Sequence, residues 1–389
     1  MFKHLRHWAP TLLLLTAACS SSEPEPSGPR PGDILPEWPQ KTSVDPVRFV
    51  PLAAGGVVGM PRPYENSRGA RIPAPLYKYD VPGNELVQVA LGERVTSSGF
   101  ISVDAQQRAL TVTTGFDGST SLSVCRWHTS DGTADSSFGG SGCSNVTELP
   151  LAHASGVISL PSGGVLAGSP SYLVQLTASG ARDPQFGTDG VFLPEPLNFV
   201  DSFWVQSDGR ILVSLRTRAN GATQLKLIRL TLSGALDTSF ANAGTLTDMG
   251  GPILVRADDT FLNLRAKSIT AYLPDGTRDA GFGTNGTVNL QEATGTDADT
   301  FSTRGVTQDA SGRIYVAAVF NKEGRDGALV ARFTSTGAFD PEYRVRDPAG
   351  APVTSVGTAL TVGADGKVWV MLSVGEGDSF RTGLALLHP

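Results

Sequence analysis

The side chains of this chain that could do chemistry are few, and they form no recognisable catalytic set. His128, His153 and His388 are its only histidines beyond the N-terminal segment, and none belongs to the HExxH pattern of zinc hydrolases. The chain also has no CxxC pair and no GxSxG nucleophile elbow. The segment GDSF contains Ser379, yet no Asp-x-x-His follows it that could activate the serine. The sequence therefore predicts no catalytic residue.

Cys19 is the residue for which the sequence predicts a covalent modification. A basic lead and an apolar run over residues 8–18 suit a secretory signal and are too short to span a bilayer. The run ends in LTAAC, which resembles a bacterial lipobox, although Thr16 stands where that motif usually has leucine. The resemblance implies a diacylglycerol on the Cys19 thiol, and Ser20 resembles the outer-membrane sorting residue. The alternative is an ordinary signal peptide with an incidental cysteine.

The other two cysteines, Cys125 and Cys143, are predicted to form a disulfide, because an exported chain folds in an oxidising compartment. A disulfide that closes a loop of this size contributes about 3 kcal/mol in the chain-entropy treatment. Two buried thiols are the alternative.

The acidic stretch TGTDADTF supplies the one metal candidate of the sequence, formed by Asp297 and Asp299. Carboxylate and carbonyl oxygens are the ligands that Ca²⁺ prefers, although this stretch lacks the length and final glutamate of an EF-hand loop. The alternative is a solvated loop, and no other cofactor is predicted. A net charge of −6 without a basic block argues against nucleic acid as a partner.

Two turn signals recur along the chain at a period of about fifty residues, which is typical of propeller blades. The first is a strand, a turn of Asp, Ser or Gly, and a second strand. The residues that open the second strand are Gly56, Arg108, Gly164, Arg210, Thr260, Arg313 and Lys367. The second signal is an aspartate followed two residues later by an aromatic ring. Its aromatic residues are Phe138, Phe186, Phe240, Phe282 and Tyr343.

These signals predict an all-β fold, a seven-bladed β-propeller of four-stranded antiparallel blades, with six or eight blades left open. The predicted organisation is a lipoprotein signal peptide over residues 1–18, a lipidated cysteine with a flexible Ser/Pro/Glu tether over 19–32, and one propeller domain over 33–389. The last repeat ends after its third strand. We therefore expect residues 33–44 to pair with the strand around 384–387 and close the ring.

The aspartate–aromatic motif resembles the delta-60 repeat of deltaproteobacterial secreted proteins and lipoproteins, most clearly in TRDAGFGTNGTV and ARDPQFGTDGVF. The resemblance covers roughly residues 100–345 and implies a propeller-like β fold and export. That family carries no established catalytic residues. Within each motif we expect the aspartate to accept backbone N–H groups of its turn, and the ring to fill the gap between two blades.

If the strands of a blade are lettered A to D from the axis outward, the A–B and C–D turns open on one face, here called the turn face. The B–C loops and D–A crossovers open on the opposite loop face and vary most, which is typical of a binding surface. The predicted B–C set is basic: Arg62, Arg68, Arg71, Arg216, Arg218, Arg265, Lys267, Lys322, Arg325 and Arg381. The predicted D–A set is mostly acidic: Glu93, Glu195, Asp201, Asp248, Glu292, Asp297, Asp299 and Asp347, with Arg94 and Arg304.

The sequence thus favours a lipoprotein anchored to the outer membrane, on its periplasmic side or at the cell surface. Its propeller would be a non-catalytic scaffold for an unknown protein or glycan. The alternative is a hydrolase or lyase with carboxylates in the axial channel, and fold alone cannot separate the two.

The lipid anchor gives the first testable prediction. Replacing Cys19→Ala removes the thiol that would carry diacylglycerol, so palmitate incorporation should be lost and the protein should move to the soluble fraction. Metabolic labelling with radioactive palmitate and membrane fractionation measure both. Normal membrane retention of the variant would rule out the lipid anchor.

Overall fold

The computed structural model describes residues 30–34, 46–61, 64–65, 71–72, 74–80, 87–95, 100–114, 121–147, 149, 153–219, 222–347, 350–375 and 381–389. Regular structure in these ranges is almost all β-strand, as short runs rich in Val, Leu and Ile require. No helix within these ranges is long and apolar enough to cross a membrane.

Each blade is an antiparallel sheet whose strands follow one another in chain order from the axis outward. Blade one contains β1 (Pro46–Pro51), β2 (Val57–Pro61), β5 (Ala74–Asp80) and β6 (Val87–Val95), with a small hairpin of β3 (Tyr64–Glu65) and β4 (Arg71–Ile72) in its B–C loop. Blade two contains β7 (Phe100–Val103), β8 (Arg108–Thr114), β9 (Leu122–His128) and β10 (Cys143–Val146). Blade three contains β11 (Gly156–Ser159), β12 (Val165–Ser169), β13 (Tyr172–Leu176) and β14 (Val191–Phe192).

The remaining blades follow the same order. Blade four contains β15 (Asn198–Val205), β16 (Ile211–Ala219), β17 (Ala222–Leu230) and β18 (Thr245–Met249). Blade five contains β19 (Ile253–Val255), β20 (Phe261–Arg265), β21 (Ser268–Tyr272) and β22 (Thr287–Asn289), followed by the short helix α1 (Leu290–Thr294), which the sequence did not predict. Blade six contains β23 (Thr300–Gln308), β24 (Ile314–Lys322) and β25 (Arg325–Phe333). Blade seven contains β26 (Val353–Val362), β27 (Val368–Val374) and β28 (Arg381–Leu387).

The seven sheets form a closed ring. The innermost strand β1 contacts β7 of blade two on one side and β26 of blade seven on the other. The structure thus confirms the predicted seven-bladed propeller. In the described residues, blades six and seven each have three named strands. The N-terminal segment forms isolated bridges beside them, from Ile34 to Leu387 of β28 and from Asp33 to Arg346 in the chain that follows β25.

The A–B turns form because one residue of each can adopt a left-handed backbone. In blade four, Gly209 (φ +86°) donates its N–H to the Gln206 carbonyl at 2.9 Å, while the Gln206 N–H bonds the Arg210 carbonyl at 2.8 Å. Glycine adopts this conformation without steric cost. Blades two and five have Gln107 and Asp259 there, both at positive φ, which explains why their turn signals are degenerate in sequence.

Four seams between neighbouring blades are each filled by an aromatic ring of the repeated motif, as the sequence predicts. Phe186 of blade three is fully buried, and a Cβ on Gly234 of blade four would lie only 2.9 Å from its ring. Beside this contact, the Gly187 N–H donates to the Ser233 carbonyl at 2.8 Å. The same pairing of ring and glycine joins Phe138 with Gly180, Phe240 with Gly276, and Phe282 with Gly337.

An arginine on the third strand secures the seam by three kinds of contact. Arg229 Nε donates to Asp237 Oδ2 at 2.8 Å, Nη1 donates to the Pro274 carbonyl of the next blade at 2.6 Å, and Cζ lies 4.8 Å from the Phe240 ring centre. Asp237 also accepts the N–H and hydroxyl of Ser239, which is the predicted turn role. Equivalent ion pairs over a ring are formed by Arg126, Asp135 and Phe138, and by Arg332, Asp340 and Tyr343.

The ring closes at a C–D turn assembled from both ends of the chain. Gly32 donates its N–H to the His388 carbonyl at 3.0 Å, and the His388 N–H bonds the Asp33 carbonyl at 3.0 Å. Ile34 then pairs antiparallel with Leu387, which confirms the predicted closure at this residue. Residues 35–44 of the predicted closing strand lie outside the described residues.

This split turn is equivalent to the continuous turns of other blades. In blade three, Gly180 (φ +88°) donates to the Thr177 carbonyl at 2.9 Å, as Gly32 (φ +86°) does to His388. The Arg344 N–H of blade six reaches the Pro31 carbonyl at 3.4 Å, in the same manner as the other seams. The closing contacts therefore begin within the segment that the sequence assigns to the tether.

Gly32 provides a test of the closure. A Cβ at this position would lie 2.4 Å from the Arg344 carbonyl oxygen, so Gly32→Ala should disrupt the closing turn and lower the melting temperature. The control is Gly55→Ala (φ +101°), where a Cβ meets nothing within 4 Å and only the backbone strain of about 1–2 kcal/mol applies. Equal losses in the two variants, measured by thermal unfolding, would contradict closure through Gly32.

Asp237 provides a test of the seam ion pair. Its pKa is lowered to about 2, first by the Ser239 hydroxyl bond and further by Arg229, against the opposing effect of burial. Asp237→Asn should cost about 1–3 kcal/mol at pH 7, because the buried Arg229 loses its anionic partner.

The difference from the native protein should shrink as pH falls from about 5 towards 2. The aspartate of the unfolded chain binds a proton near its ordinary pKa of about 4, whereas that of the folded protein binds one only near pH 2, so acid favours the unfolded state. Urea unfolding at pH 7 and pH 3 measures this. The control is Asp275→Asn, whose carboxylate bonds only its own turn at Thr277. A pH-independent difference for Asp237→Asn would contradict the assignment.

Candidate functional site

The predicted basic residues of the loop face divide into paired and unpaired groups. Arg216 binds Asp201 of its own blade, and Arg265 forms a two-pronged bond with Asp248 at 2.9 and 2.8 Å. The pairing lowers the pKa of Asp248. Both aspartates belong to strands, β15 and β18, where the sequence predicted crossover loops.

The candidate Ca²⁺ ligands bind an ammonium group. Lys322 Nζ lies 3.2 Å from Asp297 Oδ1 and 3.6 Å from Asp299 Oδ1, and these carboxylates raise the pKa of Lys322. Asp299 also accepts the Glu323 N–H at 2.8 Å. The part of the chain that the structure describes contains no group of three or more metal-ligating side chains.

The rest of the basic set does not form a continuous patch. Arg218, Lys267 and Arg325 are exposed and have no ion pair among the described residues. Arg71 and Arg381 begin strands β4 and β28, and their side chains are not described. Arg62 and Arg68 lie outside the described residues, as does Cys19.

Cys125 and Cys143 lie directly opposite each other on strands β9 and β10, with Cα atoms 4.1 Å apart, and a disulfide joins them. The bond therefore ties the outermost strand of blade two to its neighbour. It is a structural crosslink at the edge of the ring, remote from the inner strands.

A cavity of about 550 Å³ opens among the A–B turns of blades two to five, on the turn face. Its two carboxylates are occupied: Asp104 accepts the Arg108 Nε at 2.8 Å, and Asp259 accepts the N–H and hydroxyl of Ser207, both at 2.6 Å. Trp204 forms part of its wall. The acidic groups here therefore support turns and blade contacts.

The aspartates whose pKa departs from the ordinary value all have it lowered. Each shifted aspartate of the described residues has its pKa lowered, by hydrogen bonds from its own turn or by a neighbouring lysine or arginine. A general acid at neutral pH needs a raised pKa, which arises from burial without such partners. These carboxylates are therefore ionised at neutral pH, and their hydrogen bonds and ion pairs stabilise turns and contacts between strands.

An exposed apolar patch lies on the D–A crossover between blades three and four. We call Leu193, Leu197 and Phe199 the crossover patch; 62%, 72% and 45% of these residues, respectively, are exposed. Leu197 has φ +67°, a left-handed conformation that costs a leucine about 1–2 kcal/mol. Single exposed leucines are common, but three large apolar residues exposed on one crossover and at the start of the strand that follows it are typical of a contact surface.

A polar cavity of about 600 Å³ lies beside the patch, formed at the loop-face ends of blade four and by Arg265 of blade five. Asn198 connects the two features: it follows Leu197, lines the cavity and accepts the Thr217 hydroxyl. Its N–H also bonds the Glu195 carbonyl at 3.1 Å, which holds the crossover in a tight turn. The crossover patch is thus presented on a fixed backbone at the rim of a polar cavity.

Sequence reasoning missed this patch because Leu193 and Leu197 look like strand residues in VFLPEPLNFV. The two prolines, Pro194 and Pro196, are the signal that could have identified an exposed turn there. Sequence reasoning also assigned Arg304 to a crossover, whereas the residue lies within the inner strand β23.

Two stretches, residues 206–240 and 310–343, match a family model described as a domain of unknown function (DUF5122) beta-propeller. Each stretch begins in an A–B turn and ends on the seam aromatic, Phe240 or Tyr343. The match supports a β-propeller repeat family. No curated protein matches this chain.

Similar solved structures share the fold only. The extracellular domain of a protein assigned as a hybrid two-component system from B. thetaiotaomicron is 12% identical, with a TM-score of 0.48, over 89% of this chain and 39% of that chain. A functionally unknown protein from Desulfotomaculum acetoxidans is 14% identical, with a TM-score of 0.46, over 90% and 91%. Regucalcin, a calcium-binding protein from Agrobacterium tumefaciens, is 14% identical, with a TM-score of 0.41, over 75% and 91%. At these values no activity transfers to this chain.

Proposed function

We propose that this protein is an outer-membrane-anchored lipoprotein whose β-propeller is a non-catalytic scaffold that binds a protein partner on its loop face. The observation that carries the proposal is the crossover patch, with its exposed Leu193, Leu197 and Phe199. Large apolar side chains held outward on a rigid turn are typical anchors of protein interfaces.

The backbone of the patch supports a binding role. Leu197 keeps a left-handed conformation although glycine would adopt it without cost. Strain of this kind persists where the surrounding structure holds it, and it concentrates at sites of recognition. Asn198 supplies the hydrogen bonds that hold it here.

The charges near the patch indicate the chemistry of the partner. Arg218 is exposed without an ion pair among the described residues, whereas Lys226 of the adjacent cavity lies 4.0 Å from Glu195 of the crossover. An apolar anchor flanked by acidic groups would complement this surface, and complementary charge raises the association rate. The partner is therefore a protein with an acidic, apolar docking segment.

The position of the tether supports the choice of face. Residues 30–34 complete a C–D turn, so the N-terminal segment enters the ring on the turn face. A lipid at Cys19 would lie eleven residues away, a reach of about 40 Å when fully extended. The turn face would then lie towards the membrane and the loop face away from it.

The alternative, a hydrolase or lyase with axial carboxylates, lacks comparable support. The carboxylates of the turn-face cavity, Asp104 and Asp259, are held by turn and inter-blade hydrogen bonds. The second axial cavity, near Arg48 and Arg304, has no acidic residue in the described part of its lining. Within the propeller class, we further propose that the chain is a delta-60 repeat protein, because both matched stretches end on its motif aromatic.

Site-specific photo-crosslinking in cells tests the docking surface. A photoreactive residue in place of Leu197 should capture one discrete protein, and Phe199→Ser should abolish this crosslink because the second anchor is lost. Arg218→Glu should weaken it by repelling the acidic segment. The matched control is a photoreactive residue in place of Leu232, which is 65% exposed on the turn face.

The same crosslink from Leu197 and Leu232, or none from Leu197, would contradict the loop-face proposal. A crosslinked product that is removed by glycosidases and not by proteases would replace the protein partner with a glycan.

A further inference from the structure

Two arginines of the inner strands share an axial cavity. Arg48 of β1 and Arg304 of β23 line a space of about 480 Å³ between the inner strands of blades one, two, five, six and seven. No aspartate or glutamate is among the described residues that line this space. Among the described residues, neither guanidinium has a hydrogen bond or an ion pair. Two permanent positive charges therefore lie in one concavity of a chain whose net charge is −6.

A β-bulge directs Arg304 to this place. The register of β23 with β24 shifts between Thr303 and Gly305, so Arg304 is the extra, unpaired residue. Bulges of this kind re-aim a side chain and occur often beside functional sites. In blade four the bulged residue of the inner strand is Asp201, and Arg216 neutralises it. The charge of Arg304 has no such partner in blade six.

Arg48 is preorganised by stacking. Its guanidinium lies 3.6 Å from the centre of the Phe100 ring. A stacked guanidinium uses its face for the ring and keeps the N–H groups of its edge available to a ligand. The side chain is exposed to the cavity, although desolvation by the surrounding protein lowers the pKa of Arg48. A bound anion would offset the free-energy cost of this desolvation, because it stabilises the charged guanidinium.

Apolar side chains form only part of the remaining wall. The half-buried Val50, Val306 and Leu360 supply this part, beside backbone groups and Thr358 of a second bulge in β26. Pockets for small molecules combine such walls with a few placed polar groups and have volumes of about 300–1,000 Å³. A guanidinium edge matches the two oxygens of a carboxylate or phosphate. The apolar wall favours an anion that carries a hydrocarbon body.

We propose that the propeller axis contains a binding site for a small organic anion, with Arg48 and Arg304 as the anion-binding residues. This site goes beyond the loop-face scaffold and uses other residues. If the loop-face crosslink fails, the proposed anion site is unaffected. If no anion binds at the axis, the proposed loop-face docking surface is unaffected.

Binding is tested on the purified mature propeller with benzoate, succinate and inorganic phosphate as probes. Isothermal calorimetry and thermal shift are compared with sodium chloride at equal ionic strength, which controls for general charge screening. At least one organic probe should bind and raise the melting temperature in a concentration-dependent manner, because a ligand that binds only the folded state stabilises it. Benzoate or succinate should bind more tightly than phosphate, since phosphate lacks an apolar body.

Arg304→Met should weaken binding about tenfold or more, because a charge-assisted hydrogen bond is lost. The melting temperature of the free variant should stay equal or rise, since an unpaired cation is removed from a concave site. Arg48→Met should weaken binding as well. Arg218→Met, an exposed arginine outside the cavity, is the matched control and should bind normally.

A marked fall in the melting temperature of free Arg304→Met would assign the arginine a structural role and overturn the proposal. Probe binding that survives both substitutions in the cavity would also overturn the proposal. The same holds if the probes shift the melting temperature no more than sodium chloride does at equal ionic strength. Phosphate binding tighter than that of both organic probes would refute the hydrocarbon-bearing ligand.

Discussion

Four seams of this ring depend on an aromatic ring that packs directly against a glycine of the next blade. At Phe186 and Gly234 the approach is so close that a single methyl group would be excluded. One four-stranded sheet cannot bury both of its faces, so the blades are stable only as neighbours. The aspartate of the motif holds the turn that aims the ring, and the arginine of the third strand joins that aspartate to the following blade.

Because these four seams are equivalent, their geometry does not depend on what the loops contain. The closing seam repeats the backbone hydrogen bonds of these seams, although Gly32 and His388 come from opposite ends of the chain. A split turn of this kind avoids an open sheet edge and sets the face on which the N-terminal segment enters. The opposite face is then available to carry variable groups.

The charges of the loop face act mainly on each other. Arg265 with Asp248, and Lys322 with Asp297, are examples of basic loop residues that neighbouring carboxylates neutralise. Exposed ion pairs contribute little free energy, so their main effect is to remove a continuous basic surface. Among the described residues, the exposed Arg218, Lys267 and Arg325 and the two axial arginines have no ion pair, and the crossover patch is exposed. The crossover patch and Arg304 lie where the backbone departs from regular strand geometry, through a left-handed leucine and a bulge.

The sequence by itself determined the repeat and the structural use of the aspartates and aromatics, and it indicated seven blades, because each depends on local turn chemistry that recurs along the chain. It also indicated closure by the N-terminal segment, since a vacant strand position follows from counting. It could not show that Asp201 pairs with Arg216, that Arg304 is a bulged residue of an inner strand, or that Leu197 is exposed. Those features depend on strand register and on which blades meet at the axis, and only the tertiary structure decides them, because a shift of one residue turns a side chain to the opposite face.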